Sequence, residues 1–384
     1  MIRRTPLALA LVALAAVPAC DASGGDGSPT TDAYAWDLPE GFPTPRVPDD
    51  NPMNDAKVEL GRRLFYDTRL SGNETESCAT CHQQARAFTE DQSVSVGSTG
   101  ESHFRNAMSL TNVGYNATQT WSNPILAHLE DQALIPMFGE TPVELGLAGM
   151  EDELVARVGA VPVYQELFPE AFPDTDGAVT LDRITKAIAA FERTLISGNS
   201  KYDRFWYGRD PDALNESERR GLELFLGERL ECFHCHGGFN FQDSSVHAGS
   251  TFDETSFHNN GLYNLDGAGA YPASDRGVYD ISHDPADMGR FKAPTLRNIA
   301  LTAPYMHDGS IATLEDVIAH YERGGRLIED GPDAGDGAES PLKSVFVRGF
   351  VLTEQERADL LAFLHALTDE SFTTDPRFSD PWVE

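Results

Sequence analysis

Cys78-Ala79-Thr80-Cys81-His82 is the stretch on which the reading of this chain turns. Two cysteines three residues apart reach the two vinyl groups of one porphyrin as thioethers, and the histidine that follows directly is placed to ligate iron from one face. The same frame returns at Cys232-Phe233-His234-Cys235-His236, so the spacing predicts two covalently bound c-type haems. A redox dithiol or a zinc clip would also use a CxxC pair. Zinc patterns, however, separate that pair from the remaining ligands by a longer insert, whereas here each His adjoins its second Cys. Four of the five cysteines belong to the two motifs and the fifth is Cys20, which leaves none for a structural disulfide.

Upstream of the first motif, residues 1–20 read as a signal peptide: Arg3 and Arg4, an apolar run from Leu7 to Val17, then Val17-Pro18-Ala19-Cys20. The run is shorter than the roughly 20 apolar residues a permanent span requires. Small residues before Cys20 predict lipidation there, with ordinary cleavage as the alternative. The expectation is a periplasmic protein with a lipid anchor at Cys20, which agrees with haem attachment outside the bacterial cytoplasm. Residues 21–53 begin as a Gly/Ser/Asp-rich flexible tether and continue as a proline-rich segment running extended over the surface. The remaining about 330 residues exceed one typical core and predict two domains, residues 54–210 with the first haem and residues 211–384 with the second.

A repeat supports that division. Gly61-Arg62-Arg63-Leu64-Phe65 precedes the first haem motif and Gly221-Leu222-Glu223-Leu224-Phe225 precedes the second. Leu181, Ile184, Ile188, Phe191 and Leu195 form an apolar helical stripe behind Thr180. Asn215-x-x-Glu218 and Thr353-x-x-Glu356 have the form of capping boxes. The expected fold is mainly α, two cytochrome c-like haem domains packed against each other, with long loops and little strand. The formal net charge of −32 argues against nucleic acid and anionic lipid as partners. It suits long-range attraction of basic proteins, or simply solubility.

Read in order, the first CxxCH, Trp121, Gln132-x-x-x-Pro136, Pro142-Val143-Glu144, the second CxxCH, Pro294-Thr295-Leu296-Arg297-Asn298 and Pro304-Tyr305-Met306-His307-Asp308-Gly309 resemble the bacterial di-haem cytochrome c peroxidase and MauG family. Trp36-Asp37-Leu38-Pro39, Arg46-Val47-Pro48 and Gly61-Arg62-Arg63-Leu64-Phe65-Tyr66-Asp67 are similar to its MbnH branch. The resemblance implies that Cys78, Cys81 and His82 hold a peroxide-reactive haem and Cys232, Cys235 and His236 a second one. In the peroxidases the second iron takes a Met fourteen residues beyond the His of the His-Asp-Gly motif, and in MauG and MbnH a Tyr. The same count from His307 reaches Tyr321. A helix capped by Thr313 would turn Leu314, Val317, Ile318 and Tyr321 inward, which suits a core tyrosine as well as a ligand. The neighbouring His320 lies 100° off that face.

The same resemblance implies Glu144 as the distal carboxylate that moves a proton on bound peroxide, and Gln132 and Pro136 as pocket-lining residues, although two more residues separate Pro136 from Glu144 than in MauG. It implies Trp121 as the indole between the haems, and Asn106, Thr302 and Pro304 as ligands of a bridging Ca2+. The capping histidine of peroxidases that need reductive activation would fall at Ser98; His103 is the nearest candidate, with the alternatives that it loops back to the pocket or, as expected here, that the pocket is open and His103 solvated. The function implied is a hydrogen-peroxide-dependent oxidase that forms a high-valent state and oxidises a partner-protein residue, tryptophan to kynurenine. The partner would be a copper-binding protein of the MbnP type. The alternatives are a peroxidase drawing electrons from a small cytochrome, and a non-catalytic electron carrier.

Overall fold

Side-chain caps set where the helices begin. Asn54 accepts from the Lys57 N–H to start α1 (Asp55–Phe65). Two helices follow, α2 (Glu151–Gly159) and α3 (Pro162–Ala171), the latter opened by a proline that needs no N–H there. Thr180 caps α4 (Leu181–Arg193), and the Asn215/Glu218 capping box opens α5 (Glu216–Phe225). Thr313 caps α6 (Leu314–Arg323), which ends at Gly324 in the left-handed region, and the Thr353/Glu356 box opens α7 (Glu354–His365). Each such cap is worth about 1 kcal/mol. The computed structural model describes residues 34–383, so the expected signal peptide, Cys20 and the start of the tether lie outside the described residues. Within them the protein is mainly helical, and the strand content is one antiparallel pair, Leu327–Ile328 with Gly335–Asp336. No helix among the described residues is long and apolar enough to cross a membrane.

The repeated glycines explain why two helix pairs form. α1 packs on α4, and a Cβ on Gly61 would stand 1.9 Å from Ala187 O. α5 packs on α7, and a Cβ on Gly221 would stand 2.0 Å from Asp359 O. The following phenylalanine then reaches the partner helix in each pair, Phe65 to Phe191 and Phe225 to Phe363, both at 5.3 Å between ring centroids. Two helices cannot approach so closely through a methyl group. Gly221→Ala is therefore expected to destabilise the protein by about 1–3 kcal/mol or more through forced separation of α5 and α7. Urea unfolding of the variant measures this, and an unchanged midpoint would refute the close-approach argument.

Two apolar cores result. The first gathers Leu60, Leu64, Phe65, Ile184, Ile188 and Phe191, and takes in Phe372 and Phe378 from the far end of the chain. The second gathers Leu222, Phe225, Leu360, Phe363 and Ile318, and takes in Trp121 and Tyr202. The chain thus crosses between cores, and from Tyr34 onward its contacts form one compact unit. The proline-rich segment is extended but not confined to the surface as expected. Phe42 is buried edge-on against Tyr115, Tyr207 and Phe239. Asn51 donates to Glu130 Oε1 at 2.6 Å. An aromatic side chain of this size gains more from burial than an extended strap loses in freedom.

Candidate active site

Cys78 and Cys81 lie on a single helical turn, Cys78–Cys81, opened by the Ser77/Thr80 capping box. His82 follows, and the chain then reverses through Ala87 and Phe88, both at positive φ. That reversal brings Phe88 O to 2.9 Å from His82 Nδ1. Burial holds the His82 pKa below its ordinary value. A neutral ring donating through Nδ1 keeps Nε2 as a lone pair for a metal. The second motif is built the same way: His236 Nδ1 lies 3.2 Å from Phe241 O and 3.1 Å from Pro294 O, and burial lowers its pKa too. None of these four cysteines is in a disulfide, and each pair lines a cavity beside its histidine. Paired cysteines, an oriented imidazole and a largely apolar cavity are what a thioether-linked haem requires, and both sites fit it. Cys235 also lies within 4.8 Å of Asp243 and His258. That set could hold a divalent ion only with Cys235 as a free thiolate, which thioether linkage removes.

Glu144, Gln132, Pro136 and Trp121 all line the first cavity with Cys78, Cys81 and His82. The two additional residues before Glu144 are absorbed in a tight reversal. Glu140 pairs with Val143, and Leu145 N–H donates to Pro136 O at 2.8 Å, so Pro136 and Glu144 stay on one wall. Ser98 N–H donates to Glu144 O at 2.8 Å and fixes the carboxylate's main chain. Burial pushes the Glu144 carboxyl up to about 7.

His103 corrects the expectation of a merely solvated side chain. It lines the first cavity, with Nε2 at 3.6 Å from Glu144 Oε1. Pairing of Val96 with Ser102 and a bond from His103 N–H to Ser95 O fold this stretch back over the pocket. The ring stacks on Phe104, and Nδ1 accepts from the Arg105 N–H at 2.9 Å. Burial first, and then the Arg105 charge, lower its pKa. It therefore faces Glu144 as a neutral ring with its proton on Nε2.

One residue of this cavity was missed. Glu192 on α4 is buried, its Oε2 has no hydrogen-bond partner, and burial raises its pKa to about 8. The signal was present, because Ile184, Ile188 and Glu192 recur every four residues on the apolar face.

Tyr321 lines the second cavity with Cys232, Cys235 and His236. Burial is the main reason its hydroxyl pKa is raised far above the ordinary tyrosine value. His320 is buried elsewhere, its Nε2 held 3.1 Å from Asn260 O. Trp121 lines both cavities, is 9 % exposed, and donates from Nε1 to Asn106 O at 2.8 Å. Asn106, Thr302 and Pro304 all line the second cavity. The Asn106 amide nitrogen is turned to Gln92 O and Ser93 O, and Oδ1 accepts no hydrogen bond among the described residues. Among the described residues the carbonyls of Thr302 and Pro304 accept no main-chain N–H.

Two cavities of one construction, joined by one indole, are matched by known proteins. Residues 55–211 match the profile of the di-haem cytochrome c peroxidase family. The cytochrome-c peroxidase IdrP1 of Pseudomonas sp. (strain SCT) is 32% identical over 384 residues, covering 96% of this chain and 94% of that one. The chain belongs to the di-haem cytochrome c peroxidase and MauG family. The methylamine utilization protein MauG of Methylorubrum extorquens is 31% identical across 95% of this chain and 94% of its own. A crystal structure of a MauG-like protein associated with microbial copper homeostasis superposes with a TM-score of 0.89 at 53% identity, covering 91% of this chain and all of that one. This family member is a peroxide-dependent di-haem oxidoreductase, and the family implies two c-type haems, for which both sites are built.

Proposed function

We propose that this enzyme uses hydrogen peroxide to oxidise a residue of a partner protein, and that the residue is a tryptophan converted to kynurenine. The observation that carries this reading is a phenol, Tyr321, in the second cavity, where a neutral thioether would serve an electron-accepting haem better. An anionic oxygen donor favours the more oxidised states of a metal, the property needed in a site that stores oxidising equivalents. When bound, the haems held by His82 and by His236 with Tyr321 supply the electron-transfer chemistry.

The remaining work falls to side chains. Peroxide would bind in the first cavity, which Gln132 and Pro136 line together with Glu144. Glu144, with a pKa of about 7, takes a proton from one peroxide oxygen and returns it to the other, so that the departing oxygen leaves as water. The neutral His103 ring faces the same carboxylate at 3.6 Å without fixing its charge. Trp121 shortens the gap between the sites. The likeness to a MauG-like protein associated with copper homeostasis supports a copper-binding protein as the partner. Mass spectrometry of a co-encoded copper-binding protein, after incubation with the holoenzyme and peroxide, should show oxygen added at a tryptophan. Unmodified tryptophan throughout would overturn the partner assignment.

A second reading has its own support. His103 in the wall of the first cavity suits a peroxidase that is reductively activated before drawing electrons from a small cytochrome. Rapid peroxide turnover with reduced cytochrome, silent until one haem is reduced, would favour it.

We also assign Asn106 Oδ1 and the carbonyls of Thr302 and Pro304 to a calcium ion, a set of hard oxygen donors. Chelation should then lower the thermal midpoint and change the haem spin state, with both restored by added Ca2+. Indifference to a strong chelator would refute the site.

A further inference from the structure

The second cavity has in its wall a cation that no carboxylate among the described residues neutralises. Lys292 is 2 % exposed and its Nζ donates to a single carbonyl, Thr118 O, at 2.8 Å. Burial alone brings its pKa down to about 7, with no carboxylate among the described residues to offset it. Other deeply buried cations have a carboxylate or at least two acceptors. Arg297 makes two bonds of 2.9 Å to Asp203, Arg193 pairs with Glu130 at 2.8 Å, and Lys57 donates to both Asn51 Oδ1 and Pro52 O. An ammonium group has three donors, and a buried charge without a counter-ion is costly. Lys292 therefore has one bond made, two donors unspent and an unbalanced charge at the edge of a cavity built for a haem. A haem brings two carboxylates of its own, its propionates, on the side of the porphyrin away from the vinyl groups that Cys232 and Cys235 would capture.

We propose that Lys292 Nζ binds a propionate of the second haem and ties that edge of the porphyrin to the turn bearing Trp121. The main chain supplies the second half of the link. Lys292 N–H donates to Trp121 O at 2.7 Å, while its side chain spans to Thr118 of the same turn. Lys292 is thus a positioning residue that holds the haem edge and the bridging indole in one hydrogen-bonded unit. The inference rests on family membership, which places a haem in this cavity, and not on the identity of any protein substrate.

The test is a spectroelectrochemical titration of the holoprotein, without peroxide or partner, that resolves the two haems in the wild type, Lys292→Met and Lys292→Arg. Loss of the cation beside a propionate favours the ferric state. In Lys292→Met the ferric-to-ferrous ratio of the second haem at fixed potential should rise about tenfold, a shift of about 59 mV for one electron. The propionate bending mode of that haem should move in resonance Raman spectra, the first haem should stay unchanged, and Lys292→Arg should restore both signals. A Lys292→Met protein of reduced stability but wild-type potentials would make the lysine structural only and overturn the proposal, as would a shift confined to the first haem. Should Lys292→Met fail to fold, Lys292→Gln carries the same measurement, and wild-type potentials in that variant are equally fatal.

Discussion

Tyr321→Phe in the haem-loaded protein should leave both haems attached and shorten the life of the oxidised spectrum produced by one equivalent of peroxide. The expected factor is roughly two orders of magnitude, equivalent to about 2.7 kcal/mol of lost stabilisation. Phenylalanine keeps a ring in the cavity wall that Val317 and Ile318 of α6 also line and removes only the oxygen. That oxygen sits where burial raises its pKa by more than a hydrogen bond with Asn260 lowers it, so the protein alone does not ionise it. A phenolate at this position needs a strong positive charge facing it, and a ferric iron held by His236 in the same cavity would supply one. The two roles open to the residue therefore separate cleanly. A core tyrosine would tolerate the change with a modest loss of stability and no spectral effect, whereas a metal ligand would not. Stopped-flow absorption after peroxide addition, with haem content checked on the same sample, reads the difference. An unaltered lifetime would return Tyr321 to the core and remove the main support for protein oxidation over cytochrome peroxidation.

The contrast between Tyr321 and His320 shows how far local sequence carries. Thr313 accepts from the Asp316 N–H, a bond formed within four residues, and once the start of α6 is set, periodicity turns Tyr321 and His320 in different directions. The caps at Asn215 and Thr353 are legible for the same reason. The repeat glycines could be seen in the chain, but their use, passage of Ala187 O and Asp359 O, depends on helices more than a hundred residues away. The count from His82 does not decide between the two readings of His103, because it treats the chain as a ruler, while the fold doubles it back through Val96 and Ser102. The burial of Phe42 is not legible because proline-rich segments are usually solvated, yet three aromatic rings from distant stretches close around it. Lys292 had no local signal at all. Nothing in Phe291-Lys292-Ala293 indicates that a carbonyl at Thr118 is its partner or that no carboxylate stands nearby.

Glu144→Gln should lower the rate of reaction with peroxide by roughly 10²–10⁴-fold, the usual contribution of a positioned acid–base group, while leaving haem attachment and the thermal midpoint nearly unchanged. Glutamine fills the same volume and can still donate a hydrogen bond, but it cannot carry a proton from one peroxide oxygen to the other. The wild-type pH profile is the more discriminating observation. An ordinary glutamate, with a pKa of about 4.3, would be ionised throughout the range from pH 5 to 9 and the rate would be flat. Burial raises Glu144 to about 7, and the base form is the one that accepts the first proton. The peroxide rate should therefore fall about tenfold per pH unit below 7 and level off above it. His103 sharpens the expectation: being neutral and facing Glu144 at 3.6 Å, it does not restore the ionised carboxylate as a protonated imidazole would. In Glu144→Gln the inflection near pH 7 should vanish with the rate. Persistence of the inflection in that variant would place the titrating group elsewhere, with Glu192, also buried in this cavity and raised to about 8, the next residue to replace.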